Sequence, residues 1–217
     1  MDVKPVTALL LNWKRPDNLK KIIYSLQNQS LPINIFLWNN NIEDQTKYDV
    51  DLQINSTKNL MCSPRWLMAN YSKSEYFFSL DDDLCPNDPL LIEDCYNFAT
   101  ADNCAVGYTG VILSSSKHYW SSHHITPNPS ANQKVDVIKG RFLFCSKNDL
   151  SKVNFIHYDK ASNFRIEDDI IVSSQIKNKV IPSILHKRFL ELPQPHALFK
   201  ESDHKQSRVN AILKYFS

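Results

Sequence analysis

Glycine is nearly absent. The 217-residue chain has three, Gly107, Gly110 and Gly140, so neither a GxGxxG turn nor a GxxxxGK[ST] loop can be written in it. Both motifs need glycine because the backbone must approach phosphate oxygens closely. Their absence excludes a Rossmann dehydrogenase of the usual type and a P-loop NTPase, and the same count excludes collagen-like and elastic chains. Cysteine is scarce and odd in number, at positions 62, 85, 95, 104 and 145 with no CxxC pair. Neither a disulfide framework nor a structural zinc site is indicated, and buried free thiols in a reducing compartment are expected. Long apolar runs are missing too. A run such as Val6–Leu11, broken by Thr7, falls far short of the roughly 20 residues that span a bilayer. Met1-Asp2-Val3-Lys4-Pro5 lacks the apolar core of a signal peptide, so no transmembrane segment and a cytoplasmic location are expected. Charge of one sign is not in excess: 25 Lys+Arg face 23 Asp+Glu, a net charge of +2, which argues against a nucleic-acid partner held by bulk charge.

What is present is an ordinary globular mixture, 42% hydrophobic and 22% charged, sized for one domain. Val6–Asn12 reads as a buried strand delivering Asn12 and Trp13 to its carboxyl edge. Pro16 suits a first helical turn, and Leu19, Ile22, Ile23 and Leu26 then share one face until Leu31-Pro32. Ile33–Trp38 is a second strand, ending in the turn-forming Asn39-Asn40-Asn41. This beginning predicts a parallel α/β sheet with ligands at the carboxyl ends of its strands. Further expectations are a helix within 63–72, a strand at Tyr76–Leu80, a helix at Pro89–Phe98 and a strand at Ala105–Leu113. After a long loop at 114–134, of the kind that often serves as a functional lid, come a strand at Val135–Cys145 interrupted by Gly140 and helices at Ile170–Ile176 and 207–216. Val209, Ile212, Leu213 and Phe216 are the expected inner side of the last helix.

Asp81-Asp82-Asp83 is the sharpest local signal. Three adjacent carboxylates at the end of an apolar strand repel one another, and a hard cation such as Mg²⁺ or Mn²⁺ relieves them. In an extended chain Asp81 and Asp83 would serve one centre while Asp82 points elsewhere. A solvated acidic turn with a capping role is the other reading. Glu167-Asp168-Asp169 stands before an apolar helical run, where carboxylates are also favoured merely as first-turn acids. That bland reading weakens if the two acidic groups face each other across a cleft. His204 and Arg208 lie four apart, on one helix face, where they could neutralise a leaving diphosphate or be ordinary surface residues. His123-His124 reads as a solvent or acceptor contact. Trp13, Trp38 and Trp66 read as core or pocket wall.

Taken in order, these segments resemble the exostosin-like catalytic domains, nucleotide-sugar glycosyltransferases of the GT-A fold that build heparan-type chains. Asn12-Trp13-Lys14-Arg15 is similar to the family's first-strand loop, usually Thr-Tyr-Asn-Arg, and Phe36-Leu37-Trp38-Asn39-Asn40 to its Val-Val-Trp-Asn-Asn strand end. Asn59 followed by Arg65 resembles the polar pair that touches the nucleotide. Ser79-Leu80-Asp81-Asp82-Asp83 resembles the metal motif and Asp168-Asp169-Ile170 the Glu-Asp-Ile acid motif. Ala197-Leu198-Phe199 through His204, Arg208 and Asn210 resembles the closing segment. A small viral capsid-glycan transferase domain of the same fold also suits the length. Asp168 stands where the family has Glu, an alternative register places Glu167-Asp168 there, and loop 114–134 resembles nothing in the family.

The resemblance implies a single α/β domain over 1–217, a mainly parallel mixed sheet flanked by helices. Residues 1–113 would form a nucleotide-binding half and 114–217 an acceptor-binding half. Asn12, Trp13, Arg15, Asn39 and Arg65 would hold the uracil and ribose, and Asp81 and Asp82 the ribose or sugar. Asp83, with Asp81 and His204, would hold Mn²⁺ (or Mg²⁺) at the diphosphate. Asp168 or Asp169 would face the reacting sugar, with Arg208 near the phosphates. The implied activity is metal-dependent transfer from a UDP-sugar to a hydroxyl of a glycan or glycoside, with retention favoured over inversion. A non-catalytic nucleotide- or carbohydrate-binding module of this fold, or a sugar-phosphate nucleotidyltransferase, is the alternative. The second normally needs a glycine-rich phosphate loop near the first strand, where the chain has no glycine.

Overall fold

The N-terminal apolar run forms strand β1 (Val6–Asn12), and the residue that breaks its hydrophobicity is accommodated by pairing. Thr7 Oγ1 meets Ser72 Oγ at 2.7 Å and Ser74 Oγ at 2.8 Å, so its hydroxyl is buried without loss of hydrogen bonding. Helix α1 (Pro16–Gln27) begins at the expected proline and buries Leu19, Ile22, Ile23 and Leu26. Strands β2 (Ile33–Asn39) and β3 (Leu52–Asn55) follow. The computed structural model describes residues 3–116, 118–153, 167–194 and 204–216, and the family-like segment Ala197-Leu198-Phe199 lies outside them.

Several elements differ from expectation, each for a packing reason. The helix expected within 63–72 is a short turn of helix, α2 (Pro64–Leu67), tightening into a 3₁₀ turn at Met68–Tyr71 that tucks Trp66, Met68 and Ala69 inward. Strand β4 (Tyr76–Leu80) stops at the aspartate triplet, and β5 (Leu84–Pro86) leaves the main sheet. Helix α3 (Leu91–Asp102) runs a turn beyond the expected end and closes on Asn103, whose φ of 46° is the left-handed cap geometry asparagine tolerates. The strand expected at 105–113 is two, β6 (Ala105–Gly107) and β7 (Gly110–Ile112), in different sheets. Gly107 permits the corner: a Cβ there would lie 2.3 Å from Ile138 Cγ2. Residues 114–134 are not all loop, since a 3₁₀ turn at Tyr119–Ser121 and strands β8 (His123–Ile125) and β9 (Gln133–Lys134) lie within them. The strand expected at 135–145 is likewise split around Gly140 into β10 (Val137–Ile138) and β11 (Phe142–Ser146).

The remaining elements are α4 (Lys147–Leu150), α5 (Asp168–Gln175), β12 (Lys179–Ile181), β13 (Phe189–Glu191) and α6 (His204–Tyr215). Helix α6 starts before the expected 207 and buries Arg208, Ala211 and Ile212, whereas Leu213, expected inside, is exposed.

Eight strands form the main sheet in the order β3-β2-β1-β4-β11-β6-β12-β9. The first four are parallel, β11 is antiparallel to both β4 and β6, and β6 and β12 are parallel again. Helices cover both faces. One apolar cluster holds Leu19, Ile22 and Leu26 of α1 with Leu91, Ile92 and Cys95 of α3, and the other holds Trp66 and Met68 with Ile171 and Val172 of α5. A smaller cluster of Val111, Tyr119, Val137, Ile170, Ala211 and Ile212 fastens the three-stranded sheet β10-β7-β8 to α5 and α6. Among the described residues no helix is long and apolar enough to cross a membrane. The thiols of Cys85, Cys95, Cys104 and Cys145 are buried and free.

Candidate functional site

The carboxyl ends of β1 and β2 meet in an amide network. Asn12 Nδ2 donates to Asn39 Oδ1 (3.0 Å) and Asp44 Oδ2 (2.7 Å), while Asn39 Nδ2 reaches the Asp44 carbonyl (2.8 Å) and Asn55 Oδ1 (3.2 Å). Asp44 carries no signal in the sequence beyond its nearness to the asparagine triplet, yet it organises this end of the site. Burial opposes its charge, but bonds from Thr46, Tyr48 and Asn12 outweigh that and hold its carboxyl below the usual range. Trp13 is half-buried beside this network, with Lys14 Nζ 5.1 Å from its ring centre.

The aspartate triplet is a turn: Asp81 N–H donates to the Arg141 carbonyl and Leu84 N–H to the Asp81 carbonyl. The alternation expected of an extended chain therefore fails. Arg15 Nη1 lies 2.5 Å from Asp82 and 3.7 Å from Asp83, so those two neighbours share a cation, and Asp81 turns instead to Arg65 Nη1 at 2.6 Å. Arg141 joins Asp83 at 3.2 Å and also pairs with Glu191. Burial pushes the Asp82 carboxyl up to about 6 against the opposing pull of Arg15, and burial with the nearby Asp81 charge raises Asp83.

The second acidic group opens α5, where Asp168 and Asp169 occupy the first turn. It does face the first. Arg65 is 1% exposed and bridges them, with Nη1 on Asp81 and Nε on Asp168 at 2.9 Å. Trp66 Nε1 also donates to Asp168 Oδ2 (2.6 Å). The Asp169 carboxylate accepts from Gly140 N (3.0 Å), from Ile170 N (2.8 Å) and from Arg208 Nη2 (2.8 Å). Burial alone would raise Asp169, but Arg208 and these bonds hold it below the usual range. Asp168 is raised by burial, which Arg65 only partly offsets. Gly140 makes the close approach possible, since a Cβ there would stand 3.0 Å from Arg65 Nη2 and 3.4 Å from Asp169 Cβ.

Behind them Glu167 is fully buried, accepts from Arg208 Nη1 at 2.7 Å and is pushed by burial up to about 8. His204 Nδ1 sits 3.4 Å from Glu167 Oε1, so among the described residues this imidazole joins the α5 acids and not the triplet. Burial, then Arg208, lower its pKa. The Arg208 guanidinium also lies 4.4 Å from the ring centre of buried Tyr119. Next to Tyr119, Trp120 is 40% exposed, its indole N–H fixed on the Lys205 carbonyl (3.1 Å) and its ring roughly parallel to His124. Tyr119, Trp120 and Glu167 were not singled out individually by sequence pattern.

No protein-family model and no curated protein matches the sequence. Solved structures match the fold. TarS 1-349 of S. aureus in complex with UDP-GlcNAc is 13% identical with a TM-score of 0.61, over 93% of this chain and 60% of that one. The mannosyltransferase PcManGT from Pyrobaculum calidifontis in complex with GDP-Man and Mn²⁺ is 9% identical with a TM-score of 0.56, over 85% of this chain and 56% of that one. The chain has a glycosyltransferase fold. It spans about 60% of the length of the TarS chains it matches. The likeness is to glycosyltransferases in general and does not single out the exostosin-like subtype.

Proposed function

We propose that the chain moves a sugar from a UDP-sugar to a hydroxyl of a glycan or glycoside, assisted by a divalent cation. The observation that carries this reading is Arg65, which joins Asp81, at the carboxyl end of parallel strand β4, to Asp168 at the start of α5, beside the strand ends that usually bind ligands in such sheets. Residues 1–113 serve the donor: Asn12, Asn39, Trp13, Arg15 and Arg65 line the nucleotide side. Asn12 Oδ1, a buried acceptor with no hydrogen-bond partner, supports this, because a nucleobase N–H would satisfy it.

To hold Mn²⁺ or Mg²⁺, Asp81 would turn from Arg65 and Asp83 from Arg15 and Arg141, and among the described residues no cluster of three or more His, Cys, Asp or Glu side chains is already gathered for an ion. The carboxylate oxygens of Asp81 and Asp83 are the hard donors such ions take, and the Asp81 side chain is 35% exposed at the lip. His204, beside Glu167, is the least suited of the expected ligands. A bound cation would supply Lewis-acid relief of charge on the departing diphosphate. Asp169, ionised and gripped by three donors, is suited to stabilising positive charge at the anomeric carbon rather than to accepting a proton, which accords with retention. Residues 114–217 serve the acceptor, which would approach over Trp120 and His124.

A panel of UDP-, GDP- and dTDP-sugars, each with and without Mn²⁺, tests the reading by thermal stabilisation. At a hundredfold excess over its dissociation constant a ligand adds about 2.7 kcal/mol. UDP-sugars with Mn²⁺ should raise the melting temperature, and Asp83→Ala should remove the Mn²⁺-dependent part. A response to GDP-sugars alone would change the donor assignment, and UDP-sugar binding with no transfer to any glycan would make the chain a binding module.

A further inference from the structure

The cations of the cleft are nearly all spent on the protein's own carboxylates. Arg15 pairs with Asp82 and Asp83, Arg65 with Asp81 and Asp168, Arg141 with Asp83 and Glu191, and Arg208 with Glu167 and Asp169. Lys139 is the exception. It stands immediately before Gly140, the residue pressed between Arg65 and Asp169, and its backbone is fixed by its N–H donating to the Thr109 carbonyl at 2.8 Å. Its ammonium is close enough to Arg208, Arg141 and Asp169 to be shifted by their charges, and it shifts His124 in turn. Among the described residues no carboxylate pairs with it.

A half-buried lysine that feels the charges of Arg208 and Arg141 and has no ion pair among the described residues is costly unless a ligand completes it. Burial, then Arg208, hold it below the usual lysine range. The Asp169 charge offsets this in part, but makes no ion pair with Lys139, its carboxylate accepting from Gly140, Ile170 and Arg208.

We propose that Lys139 is a catalytic residue that binds the diphosphate of the donor and takes up charge on the terminal phosphate as the bond from the anomeric carbon to the diphosphate oxygen breaks. The electron pair of that bond stays with the diphosphate, and the sugar passes to the acceptor oxygen, whose proton leaves to solvent or a neighbouring base. Lys139 contributes a charge-assisted hydrogen bond to the leaving oxygen throughout. The inference rests on the donor reading above.

Calorimetry on the full chain with Mn²⁺ held constant tests it, using UDP, UMP and uridine against wild type, Lys139→Met, Lys139→Gln and Lys139→Arg. The expected result is UDP affinity lowered roughly 10- to 100-fold in both neutral variants, uridine affinity unchanged, and most of the loss restored by Lys139→Arg. In turnover the neutral variants should lower kcat as well as donor affinity. Unchanged UDP affinity in a neutral variant that melts like wild type overturns the assignment. So does a rise in acceptor KM alone, which would give the cation to an anionic acceptor. Wild-type protein that binds no uridine nucleotide at all refutes the donor reading first and this inference with it.

Discussion

Arg65 is among the largest fully buried side chains of the protein, and its charge persists there because Asp168 and Asp81 each take one edge of the guanidinium. Removing one partner of such a group leaves the other charge buried and alone, which costs about 3–5 kcal/mol. Arg65→Met should therefore unfold at markedly lower denaturant than wild type, and a smaller loss in the double variant Arg65→Met/Asp168→Asn would show that the stranded carboxylate is the cause. Asp169→Asn should lower the melting temperature, because it takes a charged partner from buried Arg208, and below that temperature it should keep its nucleotide affinity while losing at least a hundredfold in kcat, read by UDP release. The aspartate triplet and the α5 acids stood out in the sequence as crowded carboxylates at element ends, but each also had an ordinary explanation as an acidic turn or first-turn helix acids, and only the fold shows Arg65 joining the two groups. Lys139 and Asp44 did not stand out, since a single charged residue acquires meaning only from which neighbours are already paired, and that is a property of the folded chain.

At the scale of elements, the strand positions in the first 80 residues were readable because each is a short apolar run ended by polar or turn residues. The errors came where one apolar stretch serves two sheets. Ala105–Leu113 reads as one strand and Val135–Cys145 as one interrupted by Gly140, and each turns a corner and divides between the main sheet and the small one. Periodicity cannot see such corners. The glycines mark them, and Gly107 does so by its lack of a side chain alone, with Ile138 Cγ2 and Ile181 Cδ1 crowding the place of a Cβ at 2.3 and 2.9 Å. Gly107→Ala should cost about 1–3 kcal/mol by overpacking, measured as a lower melting temperature, and in an Ile138→Ala background, which lacks both crowding Cγ atoms, the same substitution should cost less.

For the molecule as a whole, stability should depend on pH through Glu167. Its carboxyl is raised by burial from 4.5 in the open chain to about 8 in the fold. A raised group favours the folded state fully below the lower value and loses that contribution as pH climbs through the upper one. Wild-type melting temperature should thus fall between about pH 5 and pH 8 relative to Glu167→Gln, which carries no titrating proton there, and parallel curves for the two proteins would contradict the assignment. The α/β class followed from the opening strand–helix–strand pattern. The sheet's outer order did not, because β11 inserts between β4 and β6 by long-range pairing that no local signal announces.

That insertion bears on how the polypeptide emerges during synthesis. Strand β6 is made before either of its sheet neighbours, β11 and β12, and β4 presents an unsatisfied backbone edge until residues 142–146 arrive. A nascent chain cut off near residue 113 would hold four parallel strands beside an orphan fifth, a sticky template for its own copies. Ribosome-bound intermediates of that length should recruit chaperones and resist refolding, while chains released past β11 should not.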